Sequence, residues 1–455
     1  MFLGFFAIYM SNHNDYNDEV DYHPKKVLIM TLGYQVRLLR LESGERLPVL
    51  MAGDGQPLFE PTVYVVTEVR GRNQATNTIS SHLRAIQVLH LFLEIRNIDF
   101  SARLSSGHLL SFAEIEDLAR LSRLPMALLE SMRSKPSESS QHRLGALEKV
   151  RMKPQKAPPK EIVPTFAGTR LRYIRSYIQW LAFSRLSRPD LNKDVRDLLQ
   201  SSWEQFNTAI VARIPTHRQG EAQLREGIAL AVREELLRLV SPEAPDNPWR
   251  DSRTKYRNQL IIYWLYYLGI RRGELLGVRI SDIDFREGAV TIHRRADDPS
   301  DPRINQPQAK TRSRKLPLDT VLASLTHTYV VKYRAMSAPA ARKHDFLFCA
   351  ARTGEPLSES SLNKLFKTLR TRCQNLPDFL SPHVLRHTWN DRFSERMDKQ
   401  KTPEELEKRL RSELMGWVQT SNTAAVYTRR HIREKAQKVS LEMQEQIMRR
   451  DADHD

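Results

Sequence analysis

Cysteine is scarce in this chain. Its 455 residues hold two, Cys349 and Cys373, in unrelated contexts. Two isolated thiols build neither a disulfide framework nor a cysteine-based zinc site, and they suit a reducing cytoplasm. Long apolar runs are lacking as well. The opening "MFLGFFAIYM" is apolar but short, with no basic start and no clear cleavage site. It reads as neither a signal peptide nor a membrane span; an upstream extension before a second start at Met10 is one account of it. No other segment is long and apolar enough to cross a bilayer, so no membrane partner is expected. No internal repeat is visible. Acidic residues are the third deficit: 54 Asp and Glu stand against 71 Lys and Arg, a net charge of +17. That excess favours a polyanion, with nucleic acid the first choice and solubility alone the plainer account.

What is present suffices for two or three domains with cores of their own, since 40% of the residues are hydrophobic. Residues 1–70 read as an N-terminal extension with a small β-rich segment, in which "KKVLIM", "QVRLLRL" and "TVYVVTEV" are β-branched runs broken by Gly and Pro. Residues 71–215 read as a helical domain. Within it, 76–97 places Ile79, Leu83, Ile86, Leu89 and Leu93 at helical spacing. A second amphipathic helix at 168–186 turns Leu171, Ile174, Ile178 and Leu181 inward and lets Arg170, Arg172 and Arg175 reach outward. A polar, basic, Pro-rich stretch near 133–165 marks a loop. A boundary at 214–225 precedes a third region, 222–430. There "EGIALAVREELLRLVSP" and "RNQLIIYWLYYLGI" predict helices, the second buried and stopped by Gly269. "AVTIHRR", "SRKLPL" and "DFLFCA" predict strands. The fold class is mainly α with a small β component, the third region being α+β. Residues 431–455 read as a helical tail, amphipathic over 434–448.

Four places could carry phosphate chemistry. In "GIRRGELLGVRISDID", Arg271 follows a glycine break, and Glu274 lies three residues on, close enough to hold its guanidinium; taken alone, an exposed helix start with a routine ion pair is the better account. In "QAKTRSRKLPL", Lys310 leads a basic turn into a strand, where Arg312 and Arg314 could contact phosphates; a solvated hairpin tip has the same pattern. In "SPHVLRHTWN", Ser381 is a natural N-cap and Pro382 suits the first helical position. His383, Arg386 and His387 then share a face. Two histidines four apart suggest zinc, but Val384 stands where a zincin needs its glutamate, no third ligand cluster is evident, and Arg386 would repel a cation. An anion fits better: the helix start offers free N–H groups and Arg386 a planar fork. A capped helix with surface His and Arg is the plainer account. The fourth place, "LMGWVQTSNTAAVYTRR", sets Trp417 and Tyr427 ten apart across a polar turn; both also suit ordinary packing.

Taken together and in order, Arg271, Lys310, His383, Arg386, Trp417 and Tyr427 make the sequence resemble the tyrosine recombinases, or phage integrase family. "GIRRGEL" is similar to the family's first-arginine box, "KTRSRKLPL" to its lysine hairpin, "HVLRHT" to its His-x-x-Arg box, and "LMGW…VYT" to the box that ends in the nucleophile. The likeness covers roughly 225–430; the helical first half resembles the family's core-binding domain in general character. Two departures stand out. The interval from Trp417 to Tyr427 is a residue longer than is usual, and Trp417 replaces the more frequent histidine. Indole N–H donates but exchanges no proton near neutral pH, so this position serves as donor or packing wall.

The resemblance implies strand cleavage without hydrolysis, metal or ATP. Tyr427 would attack the scissile phosphorus, expel a 5′-hydroxyl and leave a 3′-phosphotyrosine. Arg271 and Arg386 would clamp the non-bridging oxygens, with His383 and Trp417 as further donors, and Lys310 would be general acid to the leaving oxygen. Glu274 would orient Arg271, and His387 would support Arg386. The implied partners are double-stranded DNA, held in a C-shaped clamp of the two domains, a homotetramer on two DNA sites, and accessory DNA-bending proteins. The implied location is cytoplasmic. A type IB topoisomerase shares the fold resemblance and the phosphotyrosine but relaxes supercoils without specific sites. A DNA-binding relative without chemistry would bind and never cut.

Overall fold

The structure is a computed structural model; it describes residues 33–133, 161–215, 227–307, 311–418, 436–437 and 439–444. Two compact units divide the chain. One takes residues up to Arg37 and Val49–Pro215; the other takes Leu38–Pro48 and the chain from Thr216 onward. The predicted strand "KKVLIM", most of the basic loop near 133–165 and most of the boundary at 214–225 lie outside the described residues. No helix among the described residues is long and apolar enough to cross a membrane.

A hairpin begins the described chain, β1 (Gln35–Arg40) paired with β2 (Arg46–Met51). The first unit is then helical: α1 (Phe59–Tyr64), α2 (Thr76–Ile95), α3 (Phe100–Ser105), α4 (Phe112–Leu121), α5 (Met126–Arg133), α6 (Pro164–Leu186) and α7 (Lys193–Arg213). Its core gathers Ile79, Leu83, Ile86 and Leu89 of α2 against Leu171, Ile174 and Ile178 of α6. These are among the residues whose spacing predicted the two helices; Leu93 and Leu181 are only half-buried. Helix starts follow capping chemistry. Ser111 and Glu114 form a reciprocal capping box at α4, and the Asp99 carboxylate accepts from the Ala102 N–H at α3.

One expectation for this unit is corrected. "TVYVVTEV" is not a strand: residues from Phe59 to Arg70 are helical, as α1 and a π-type turn over Val65–Arg70. Pro61, Tyr64, Val65 and Val69 are its buried residues, a set spaced for a helix face. Burial there overrides the β-propensity of four valines. Residues 49–70 are therefore no separate extension, because Leu50, Tyr64, Val65 and Val69 belong to the helical core.

The second unit holds α8 (Leu230–Leu239), α9 (Ser252–Leu268), α10 (Arg272–Gly277), a three-stranded sheet, and then α11 (Thr320–Thr328), α12 (Glu359–Arg372), α13 (Pro382–Lys399) and α14 (Glu404–Met415). The antiparallel order is β3 (Ile283–Asp284), β4 (Ala289–Ile292), β5 (Arg314–Pro317), with Ile292 opposite Arg314 and Val290 opposite Leu316. "DFLFCA" is extended but joins the rest through single bridges, Arg279 to Phe346 and Cys349 to Pro356, so the third strand is Ile283–Asp284 instead. Helix α9 is the unit's axis. Asp251 caps its start, its apolar residues are buried on nearly every side, and the Trp264 indole donates to the Thr326 hydroxyl at 3.1 Å. Gly269 closes it in the left-handed conformation, φ +60°.

Leu83→Ala, at the centre of the helical core, is expected to lower that unit's stability by about 2–5 kcal/mol. The check is hydrogen exchange, with protection falling across α2 and α6.

Candidate active site

Gly269 does more than end a helix. A Cβ there would lie 2.6 Å from the Trp389 ring, so no other residue fits without displacing α13. Its carbonyl accepts from the Arg386 guanidinium at 2.6 Å. Two residues later Arg271 is the N-cap of α10. The first-arginine loop and the His-x-x-Arg helix are thus tied at one carbonyl.

Glu274 sits at the centre. Its side chain is 0% exposed. One oxygen accepts from the Arg271 backbone N–H at 2.8 Å, capping the helix, and the Arg271 guanidinium stands 3.5 Å from the other. Arg314 reaches both oxygens, at 2.9 and 3.2 Å, and the Thr311 hydroxyl donates a short bond. Burial alone would push this carboxyl up. The hydrogen bonds and charge of Arg314, the charge of Arg386 and the Thr311 hydroxyl outweigh it and hold the group at about 2. Glu274 was expected to orient Arg271; its stronger partners are Arg314 and Thr311.

Arg314 is accordingly corrected. It was expected to contact DNA, but its side chain is 3% exposed. The alternation along β5 puts it on the face of Leu316, inward. Its Nε also donates to the Leu414 carbonyl at 2.7 Å, and the Arg312 N–H donates to the Gly416 carbonyl at 3.2 Å. The end of α14 is seated on this strand, which leaves Trp417 buried beside Arg386, whose guanidinium carbon lies 5.5 Å from the indole ring centroid. The Arg312 side chain remains exposed.

Helix α13 starts as its sequence predicts. Pro382 takes the first turn, and the Ser381 hydroxyl accepts from the Val384 N–H at 3.4 Å. His383 is exposed, whereas Arg386 and His387 are buried. The two histidine rings meet edge to face at 4.3 Å. The site therefore gathers Arg271, Glu274, Arg314, Arg386 and Trp417, with His383 and His387 paired one turn away. Lys310 and Tyr427 lie outside the described residues. Among the described residues, no group of three His, Cys, Asp or Glu side chains is placed to hold a metal ion.

In the helical unit the three arginines of α6 divide. Arg172 is exposed. Arg175 donates to the Asn207 side chain at 2.6 Å and lies over the Trp203 ring. Arg170, expected to face DNA, donates instead to the carbonyls of Ser122 and Leu124 at 3.0 and 2.7 Å. Its role is corrected to bracing the loop after α4.

Residues 234–433 match the sequence model of the phage integrase family. That stretch is therefore similar to the tyrosine recombinase class. Among curated proteins it is similar to the tyrosine recombinase XerC of Staphylococcus aureus, 22% identical over 222 residues, or 48% of this chain and 65% of that protein. It is similar also to XerC of Halalkalibacterium halodurans, 20% identical over 240 residues, covering 50% and 70%. The matched segment thus spans less than two thirds of the Staphylococcus relative. Among solved structures it is similar to the XerH recombinase bound to its difH substrate, at 15% identity and TM-score 0.36 over 77% of this chain and 96% of that one. Another is the Tn1549 transposon integrase with transposon right end DNA, at 17% identity and TM-score 0.32 over 56% and 79%.

Glu274→Gln is expected to cost about 3–5 kcal/mol at pH 7, because it strands the buried Arg314 charge. A carboxyl held below its usual value stabilises the fold above about pH 4.5 and loses that contribution as pH falls toward 2. The gap between wild type and variant should therefore narrow from pH 5 to pH 3. Urea denaturation at several pH values measures it.

Proposed function

We propose that this protein is a site-specific DNA recombinase that cuts and rejoins strands through a 3′-phosphotyrosine at Tyr427. The carrying observation is the cluster in which three guanidinium groups, Arg271, Arg314 and Arg386, surround one ionised carboxylate, Glu274. The excess of fixed positive charge suits an anion, and planar guanidinium forks suit phosphate oxygens. The chain order of the recombinase domain supplies the remaining groups.

In the reaction, the Tyr427 Oη–P bond forms as the P–O5′ bond breaks. The phenolic proton is lost, and Lys310 delivers a proton to the departing 5′-oxygen. Arg271 and Arg386 balance the charge that builds on the non-bridging oxygens, assisted by His383 and by the Trp417 N–H. Glu274 holds the arginine cluster together, and His387 supports the start of α13. Reversal by a second strand's 5′-hydroxyl completes the exchange. Because the bond energy is kept in the phosphotyrosine, no ATP is consumed, and the cations replace a metal's electrostatic work. The DNA is a duplex contacted mainly at phosphates, with Arg172, Arg175 and Arg312 contributing, so binding weakens steeply with salt. The working assembly is a homotetramer on two sites in the cytoplasm, with accessory DNA-bending proteins where the element requires them. The tail contributes to that assembly: Val439, Leu441 and Met443 are all exposed.

Covalent trapping tests this reading. Wild type and Tyr427→Phe are incubated in EDTA with duplex fragments flanking the gene, then quenched with detergent. The expected result is an adduct on a DNA 3′ end in wild type and none in the variant, with Arg386→Ala slowed on the order of 100- to 1,000-fold. An adduct that persists in Tyr427→Phe, or its absence from wild type on DNA it binds, would contradict the reading.

A further inference from the structure

The tip of the N-terminal hairpin, Leu38–Pro48, groups with the recombinase unit. Its placement there is built in detail. Gly44 has φ +86°, and a Cβ on it would lie 2.7 Å from the Pro299 backbone and 2.8 Å from the Asp297 carbonyl. The tip therefore rests on residues 297–299 at backbone distance, which only glycine allows. Arg40 donates to the Pro299 carbonyl at 2.8 Å.

Arg46, 1% exposed, is the anchor. Its guanidinium donates to the carbonyls of Asp301 at 2.8 Å, Arg303 at 3.0 and 3.2 Å, Ile304 at 3.2 Å and Asp298 at 3.3 Å, and to the Gln306 side chain at 3.2 Å. A single planar fork thus gathers the connection between β4 and β5 from 298 to 306. A lysine could not replace it, because a point charge with three donors cannot span that set of carbonyls. The far side of the same connection is tied to the active site. Arg303 donates to the carbonyls of Leu276, in α10, and Leu357 at 3.0 and 2.8 Å, and Arg279 pairs with Asp298. Lys310 lies four residues after Gln306 and one before Thr311, which is bonded to Glu274.

We propose that Arg46 is a positioning residue for cleavage: it fixes the β4–β5 connection, and with it one end of the segment that carries Lys310. The proposal rests on Lys310 being the general acid. Nothing in the sequence of residues 38–48 marks this role, because the arginine is distant in the chain from every recombinase box. An N-terminal segment thereby becomes part of the chemistry of the C-terminal half.

The test uses the full chain with Arg46→Met, Arg46→Lys, Gly44→Val and Lys310→Ala. Hydrogen exchange reads the amides of 297–306 directly. Single-turnover adduct formation at saturating DNA reads cleavage, on the duplex mapped by trapping and on the same duplex with sulfur replacing the 5′-bridging oxygen. A thiolate leaves without being protonated, so sulfur removes the need for a general acid while leaving every other requirement in place. In the Arg46 and Gly44 variants, exchange at 297–306 should quicken at least tenfold. Their rate should fall about 10- to 100-fold on oxygen and stay within about threefold of wild type on sulfur. Unchanged exchange would overturn the anchoring, whatever the cleavage result. Faster exchange with an unchanged oxygen rate would overturn the link to cleavage, and an equal loss on both substrates would show general damage and overturn positioning. Lys310→Ala separates the two readings: if sulfur does not rescue it, Lys310 is not the acid and the proposal falls with that reading, while exchange still reports whether Arg46 holds the connection.

Discussion

The Glu274 carboxylate is enclosed by protein and still ionised, and the second unit is arranged around that constraint. A buried charge is tolerated only when its partners are close and its lone pairs are filled. Arg314 comes from β5, Thr311 from the turn before it, the capped N–H from α10, and the field of Arg386 from α13. Three stretches that are far apart in sequence, 271–274, 311–314 and the start of α13, must therefore meet at one side chain. The end of α14 joins them through the Leu414 and Gly416 carbonyls, and this seats Trp417 beside Arg386.

The same constraint explains the division of labour among the arginines. Arg314 neutralises Glu274 from inside, so Arg271, with its side chain 30% exposed, is only loosely drawn to the acid at 3.5 Å. It keeps its capacity to bind an anion. Arg386 is held by the Gly269 carbonyl, and the left-handed glycine there leaves room for the Trp389 ring. Preorganised donors cost little reorganisation at the moment of reaction, which is why such rigidity serves catalysis of charge-building steps. A buried acid paired to a buried arginine is thus the scaffold, and the guanidinium groups of Arg271 and Arg386 are arranged around it.

The sequence revealed those parts whose signals are local. The apolar run of α9, its glycine stop, the Ser-Pro start of α13 and the 3.6-residue spacing of α2 and α6 each depend on near neighbours, and each appears as expected. Four features were obscured because tertiary contacts decide them. Val63 to Val69 follow the helical core instead of their β-propensity, since Tyr64, Val65 and Val69 gain burial only as a helix. "DFLFCA" stays extended yet finds no ladder, because its neighbours offer single bridges. Arg314 looked like a phosphate contact in a basic turn. The alternation that carries Leu316 inward carries Arg314 inward too, a signal present in "SRKLPL" that charge alone concealed. Arg46 had no local signal at all: its acceptors lie about 250 residues away in the chain.

The most direct test of this arrangement is a double-mutant cycle on Glu274 and Arg314. Glu274→Gln, Arg314→Met and the double variant are compared in the single-turnover rate of adduct formation at saturating DNA. If the buried pair is one scaffold, removing either half disrupts it, and the double variant should be no slower than the slower single one, a coupling of about 0.5–3 kcal/mol. If the two losses simply multiply, Glu274 and Arg314 act independently, and the cluster is not organised by their pairing.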